Sequence, residues 1–308
     1  MTTKAKTIAL LILAFACAGA TLAQTVGNPL PRATDSVAES NEAAVPAKEL
    51  FGRMSRPASM EARAIGFYSR GCLAGAVPLP VTAEAWQVMR LSRNRNWGHP
   101  NLVEVLTRLA GNGRNFGWPG LLVGDMSQPR GGPMLTGHVS HQMGLDADIW
   151  LTPMPDRVLT PEEREQMSAT NMVASDRRGV DPALWTPAHA AIIKAAAQEP
   201  EVERIFVNAA IKKALCRGAE ADRGWLNKVR PWYGHNYHFH VRLRCPSNVA
   251  GCKSQAPVPA GDGCGKDLDW WLSDAVLFPK PAAKPPKPKP PLTLADLPSA
   301  CGELVAIP

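Results

Sequence analysis

Two stretches of this sequence alternate between apolar and polar residues, and each gathers metal-ligating groups on one side of the alternation. The first runs Gly137-His138-Val139-Ser140-His141-Gln142-Met143-Gly144-Leu145-Asp146-Ala147-Asp148-Ile149-Trp150. From Leu145 onward the period is two. On a strand this puts Asp146 and Asp148 on one face and Leu145, Ala147 and Ile149 on the other. The second stretch runs from Pro231 through His235 to His238-Phe239-His240-Val241-Arg242-Leu243-Arg244. Here His238, His240 and Arg242 share a face, and Phe239, Val241 and Leu243 share the opposite one. Burying carboxylates without a partner is costly, so the pattern calls for a cation, which His141 reaches from the preceding loop. Five of the seven histidines fall in these two stretches. His-x6-Asp followed much later by His-x-His suits zinc, which in a catalytic site takes three protein ligands and leaves a position for water. The protease helix signature His-Glu-x-x-His is absent.

The chain of 308 residues carries a formal net charge of +7. Residues 1–23 read as a secretory leader, with Lys4 and Lys6, an apolar run from Ile8 to Cys17, and Thr21-Leu22-Ala23 before Gln24. That run is short for a transmembrane helix, and no later stretch is long enough, so no transmembrane anchor is expected. Six cysteines follow the leader: Cys72, Cys216, Cys245, Cys252, Cys264 and Cys301. An even count behind a leader argues for disulfides in an oxidising compartment, though spacing alone does not choose among the pairings. No Cys-x-x-Cys pair supports a cysteine-rich metal site. Part of the basic excess lies in Lys280, Lys284, Lys287 and Lys289 of a proline-rich tail. In a secreted chain, dispersed arginines fit an anionic wall polymer at least as well as nucleic acid.

Along the chain, residues 24–65 show little periodicity and read as a loosely ordered arm, with a short helix near Lys48–Met54. Structure is expected to begin near Phe67. Ala83–Ser92 and Asn101–Leu109 fit amphipathic helices, and Leu121–Asp125 a buried strand. Thr160-Pro161-Glu162-Glu163 is a capping box that starts a helix reaching about Thr170. Another helix runs from Thr186 through Ala197, Arg204–Val207 is a strand, and Ala209–Leu215 is a helix. The boundaries are 66–278 for the main domain and 279–308 for an extended Pro/Lys-rich segment. If Cys301 is disulfide-bonded, that segment is a strap across the surface.

The pattern Ser140-x-His141-x-x-Gly144-x-x-x-Asp148 with the later His-x-His resembles the zinc peptidases that include lysostaphin-type enzymes, D-Ala-D-Ala metallopeptidases and the hedgehog signalling domain. Within this group the chain is similar to the penicillin-insensitive murein endopeptidases. The likeness rests on Gly137-His138-x-Ser140-His141-Gln142-x-Gly144-Leu145-Asp146-x-Asp148-Ile149, on Arg204-Ile205-Phe206-Val207-Asn208, on Lys228-Val229-Arg230-Pro231-Trp232, and on His240-Val241-Arg242-Leu243-Arg244-Cys245-Pro246. Gly98-His99-Pro100 and Gly261-Asp262-Gly263-Cys264-Gly265 add to it. It covers about residues 67–273.

The resemblance implies an α+β fold with a central antiparallel sheet flanked by helices, hedgehog-like and disulfide-stabilised. It implies a periplasmic zinc enzyme that cuts the D-alanyl–meso-diaminopimelyl cross-link of peptidoglycan. His141, Asp148 and His240 match the metal ligands, and His138 a neighbour that contacts metal. His238 matches an acid/base residue and His235 a further active-site histidine. The implied disulfides are Cys72–Cys301, Cys216–Cys264 and Cys245–Cys252. Some family members hold a second metal on an aspartate and a histidine three residues later; here Asp176 fits the first, but Gly179 stands at the second. Trp232 and Arg242 are candidate substrate contacts, with Arg230 a further guanidinium for peptide carboxylates. His99 and His189 read as structural. Two rival functions remain: a carboxypeptidase that trims terminal D-alanine, and a zinc-bearing but inactive wall-binding domain. The acid/base position at His238 argues against the second rival.

Overall fold

The alternations at Asp146–Trp150 and His238–Leu243 become neighbouring strands at the middle of a seven-stranded sheet. The computed structural model describes residues 45–247, 250–281 and 287–307. The expected leader, the arm up to residue 44 and residues 282–286 of the Pro/Lys segment lie outside the described residues.

The elements in chain order begin with helix α1 (Ala47–Gly52) and the hairpin of β1 (Arg63–Phe67) and β2 (Arg70–Ala74). Short strands β3 (Val77–Pro78), β4 (Thr82–Ala83), β5 (Trp86–Val88) and β6 (Trp97–Gly98) follow, then helix α2 (Pro100–Gly113). Next come β7 (Leu121–Val123), β8 (Asp146–Trp150), α3 (Pro161–Gln166) and α4 (Pro187–Gln198). The chain continues through β9 (Val202–Val207), α5 (Ala209–Gly218), β10 (Val229–Pro231) and β11 (His238–Leu243). It ends with α6 (Lys266–Trp271), α7 (Asp274–Leu277) and α8 (Ser299–Ala306). No helix among the described residues is long and apolar enough to cross a membrane.

The sheet order is β10-β9-β11-β8-β7-β5-β4. Its central pairs are antiparallel, as expected, but β10 runs parallel to β9 and β5 parallel to β7, so the sheet is antiparallel-rich and not wholly antiparallel. The reason lies in the connections. A parallel pair needs a crossover, and a helix supplies it each time: α2 between β5 and β7, α5 between β9 and β10. The apolar face of the sheet carries Ala147, Ile149, Phe239, Val241 and Leu243, and it packs against Leu102, Val105, Leu106 and Leu109 of α2 and Ile192, Ile193 and Ala196 of α4. In α2 the buried residues recur three and four apart, the spacing of one helix face. His99 caps that helix by accepting the Asn101 N–H on Nδ1 at 3.3 Å.

Three local expectations change. Ala83–Ser92 is not a helix but forms β4, β5 and a 3-10 turn at Leu91–Arg93. There the buried Gln87 donates to Arg157 O at 2.8 Å and accepts from Leu159 N at 2.7 Å, so sheet pairing and a distant loop outweigh local helix propensity. The helix begun by the Thr160 capping box stops at Gln166, where Met167 turns extended. Ordered structure begins well before Phe67, because Ala47 and Phe51 of α1 are fully buried in a second, small core with Ile65, Cys72, Cys301 and Leu304. Gly132, at φ +74°, lets Phe51 seat there: a Cβ would come within 2.2 Å of the ring.

Three disulfides form, with the pairings implied by the family resemblance. Cys72–Cys301 ties β2 to α8, Cys216–Cys264 ties α5 to the loop before α6, and Cys245–Cys252 closes the loop after β11. The C-terminal segment is therefore anchored at its far end.

Candidate active site

Register decides what faces what across β8 and β11. Asp146 stands opposite Arg242, Asp148 opposite His240, and Trp150 opposite His238. Every residue of both strands is buried, on the polar face as well as on the apolar one. His141 enters from the loop before β8 with φ +67°, in the left-handed region that a non-glycine residue occupies only when its surroundings demand it.

Hydrogen bonds assign the protons. His141 Nδ1 donates to the Met126 carbonyl at 2.8 Å, which leaves its Nε2 as a lone pair. His240 Nε2 donates to Asp146 Oδ1 at 2.8 Å, which leaves its Nδ1 as a lone pair. Those two lone-pair nitrogens stand 3.2 Å apart. Asp148 Oδ1 lies 3.4 Å from the first and 3.2 Å from the second, and no hydrogen bond reaches it although it is buried. Three acceptors that converge in a dry site repel one another unless a cation lies among them. Their separations match the edge of a tetrahedron whose metal bonds are about 2.0–2.1 Å.

Asp146 organises this cluster from outside the three converging acceptors. It is fully buried and accepts from His141 N at 3.1 Å, from His240, and from Arg242 Nε at 2.7 Å. Burial alone would raise its pKa; Arg242 and His240 outweigh that and hold the carboxyl well below its usual range. For His240, burial works against the charged ring, but Asp146 and Asp148 overcome it and raise its pKa. A proton and a metal therefore compete for that ring.

His138 lies beside the cluster. His138, His141 and Asp148 also bring one ligand atom each within 4.8 Å of one another. However, His138 Nε2 is 3.1 Å from Asp125 Oδ2 and 3.5 Å from Asp148 Oδ2, so carboxylates already surround it. The set of His141, Asp148 and His240 fits a cation better, because its lone pairs are fixed by hydrogen bonds on the far side of each ring.

His238 and His235 flank the cluster. His238 Nε2 is 3.6 Å from Asp148 Oδ1, and its buried Nδ1 has no partner. Burial lowers its pKa, with Asp148 opposing. His235, at φ +52°, donates from Nδ1 to Tyr233 O at 2.8 Å, and its ring centre is 4.8 Å from that of His238. Burial first, then His238 and His240, push its pKa down to about 3. Both rings are thus neutral near pH 7, and each keeps a nitrogen able to take a proton.

The cluster sits between two clefts. His240, His235, Phe206, Trp232 and three arginines line one; Arg93, Asp125, Tyr237 and His238 line the other, and His138 borders both. Trp232 is exposed in the first cleft, whereas Arg242 is buried and held by Asp146 and by Gln255 Oε1 at 3.1 Å.

Residues 64–306 match the family model of the penicillin-insensitive murein endopeptidases. The chain belongs to this family. A Haemophilus influenzae protein named penicillin-insensitive murein endopeptidase is 48% identical over 250 residues, which cover 77% of this chain and 82% of that one. Proteins of the same name from Klebsiella pneumoniae and Yersinia enterocolitica are 46% and 44% identical over 253 residues, covering 82% of this chain and 89% of each.

Sequence reasoning passed over one residue of this family member's site. Asp125 lies two positions beyond β7, where its backbone still bonds Asp148. Its Oδ2 accepts from Arg95 at 2.8 Å and Arg93 at 3.0 Å and also faces His138. Burial would raise its pKa, but His138 and Arg95 hold it well below the usual range. The only signal was a lone carboxylate closing the apolar run Leu121-Leu122-Val123. His99 and His189 are structural, as expected: one caps α2, and the other bonds Leu151 O at 2.9 Å from α4. Asp176 is exposed and accepts only from Arg178 N at 2.9 Å among the described residues, and Gly179 has no atom within 4 Å of where a Cβ would stand.

Proposed function

We propose that the protein is a zinc-dependent murein endopeptidase that hydrolyses the D-alanyl–meso-diaminopimelyl cross-link of peptidoglycan in the periplasm. Family membership supports the murein endopeptidase activity. The observation that carries the metal reading is the convergence of two imidazole lone pairs and an unpartnered buried carboxylate oxygen at His141, His240 and Asp148. A mixed nitrogen and oxygen donor set with three protein ligands suits zinc in a hydrolase. When bound, zinc supplies Lewis-acid polarisation of the scissile carbonyl and a nucleophilic water near neutral pH.

The chain's own residues do the rest. His238 takes a proton from the attacking water and delivers it to the amine that leaves as the C–N bond breaks. His235 stands behind it as a second neutral ring. Asp146 and Met126 O fix the two ligand imidazoles in the tautomers that ligation needs. Trp232 offers an aromatic wall to the peptide. No serine acts as nucleophile in this scheme, and the chain lacks Ser-x-x-Lys with its partner motifs, so penicillin has nothing to acylate. The expected leader and the three disulfides support a periplasmic location.

Metal analysis of the purified protein, coupled to digestion of cross-linked muropeptides, tests this reading. About one zinc per chain and conversion of dimer to monomer are expected, with activity lost to a chelator and regained with zinc. Release of D-alanine from monomers would make the enzyme a carboxypeptidase. Unchanged dimers with zinc retained would make it a binding domain.

A further inference from the structure

The arginines of the larger cleft differ in what holds them. Arg242 is committed to Asp146 and Gln255, and its guanidinium lies over the Tyr68 ring at 4.2 Å and the Phe206 ring at 5.0 Å. Arg204 and Arg230 have no such tie. Arg204 stands opposite Arg242 across β9 and β11, and Arg230 stands opposite Phe206 across β10 and β9. Phe206 in turn stands opposite the candidate ligand His240. The pleat therefore brings Arg204, Arg230, Arg242 and His240 to one face, and all four line the same cleft. Among the described residues, no carboxylate forms an ion pair with Arg204 or Arg230. Arg204 donates from Nη2 to the Ala256 carbonyl, while its Nε is buried and has no hydrogen-bond partner. Glu203, the nearest acid in the chain, points to the other face, where it meets Tyr68 Oη at 3.4 Å. Asp262, near Arg230, is taken by Arg223 at 2.8 Å. Burial lowers the Arg204 pKa, Glu203 opposes this, and Arg242 and Arg230 lower it further.

We propose that Arg204 and Arg230 form the subsite for the free carboxylate of the peptide being cut, on the amine side of the scissile amide. Their planar forks suit a carboxylate, and a buried unpaired N–H gains most from a charged acceptor. Direction follows from the substrate class in the reading above, on which this inference rests. In a bond between two D-centres, the acyl-side carboxyl is the amide itself. The nearest free carboxylate belongs to the residue that supplies the nitrogen, on the D-centre carbon bonded to it. Arg204 lies at the level of Arg242, two residues or about 7 Å along the strand from His240, within reach of that group. The amine side of the substrate then occupies the arginine cleft, and the acyl side runs toward Tyr237 and Arg93.

Two synthetic cross-linked peptides test this, one with the free carboxylate at the amine-side D-centre and one with a carboxamide there. The zinc-loaded wild type should prefer the acid by about 100-fold in kcat/KM, as loss of two charge-assisted contacts implies. In Arg204→Gln/Arg230→Gln the ratio should fall toward one through KM, at unchanged zinc content, and Arg204→Lys/Arg230→Lys should keep part of it. Calorimetric titration of the amine-side cleavage fragment, as acid and as amide, reads the same preference without turnover. Cutting of both peptides by the wild type at equal rates would overturn the subsite and leave the endopeptidase reading standing. So would a ratio unchanged in the Gln variant. Arginine-dependent binding of the acid fragment with neither peptide cut would overturn the endopeptidase reading and leave the subsite standing.

Discussion

The two faces of β8 and β11 are both buried, yet they are held together in opposite ways. On one face Ala147, Ile149, Phe239, Val241 and Leu243 meet α2 and α4 through hydrocarbon alone. That stabilisation is spread over many small contacts, so each residue contributes its own buried area and little more. On the other face Asp146 is shared by His141, His240 and Arg242, and Asp148 stands among imidazoles without a hydrogen bond to its Oδ1. There no group can be removed without stranding another in a dry environment. The apolar face also has no atom left wanting, whereas the polar face keeps Asp148 Oδ1 and His238 Nδ1 unpartnered. Burial by itself therefore says nothing about function; unfinished pairing within burial does.

The strongest test of this contrast is His240→Ala. It should remove zinc and all measurable hydrolysis of cross-linked muropeptides, and His141→Ala should do the same. Full activity in a metal-free His141→Ala protein would end the metal reading. A smaller effect is expected at His238, on the same face but with a proton to carry instead of a metal bond. His238→Ala should keep about one zinc while kcat falls by about 100-fold to 10,000-fold. Loss of zinc with the activity would make His238 a ligand, and an unchanged rate would pass the base role to His235.

Smaller again is the effect of Asp146→Asn, which touches neither substrate nor metal. Both carboxylate oxygens accept, from His240 and Arg242 on one side and from the His141 N–H on the other, so the amide would turn a donor toward a donor in either orientation, and competition with a chelator should show zinc affinity lower by about 10-fold to 100-fold. Unchanged affinity would mean that the tautomer of His240 is set elsewhere. Smallest is Ile149→Val on the opposite face. It should cost about 0.5–1.5 kcal/mol in denaturant unfolding, with zinc content and kcat/KM as in the wild type. If zinc were lost there, the two faces would not be independent.

Much of this site was visible in the order of residues, because period two is a local property. Asp148 and His240, and the face each takes on its own strand, follow from alternation alone, and the capping box at Thr160 and the face of α2 are equally local. Ala83–Ser92 misled because its helical spacing was outweighed by pairing of β5 with β7 and by the bonds of Gln87 to Arg157 and Leu159. Asp125 was missed because its partners Arg93, Arg95 and His138 come from two other segments. From its face alone Arg242 is a candidate substrate contact; the packing shows that Asp146 holds it and that Arg204 beside it is less committed.

Residue order is enough to specify the alternating strands, the donor types they carry, the even set of cysteines and the family to which the chain belongs. Each of these is written in spacing and residue type, which need no neighbour to be read. Tertiary structure alone decided the register of Asp148 against His240, the tautomers set by Met126 O and Asp146, and the direction of the outer strands. It also decided which arginines are left without a carboxylate. Those depend on groups far apart in the chain meeting within hydrogen-bond distance, and a period of two fixes which face a residue takes but not what stands across from it.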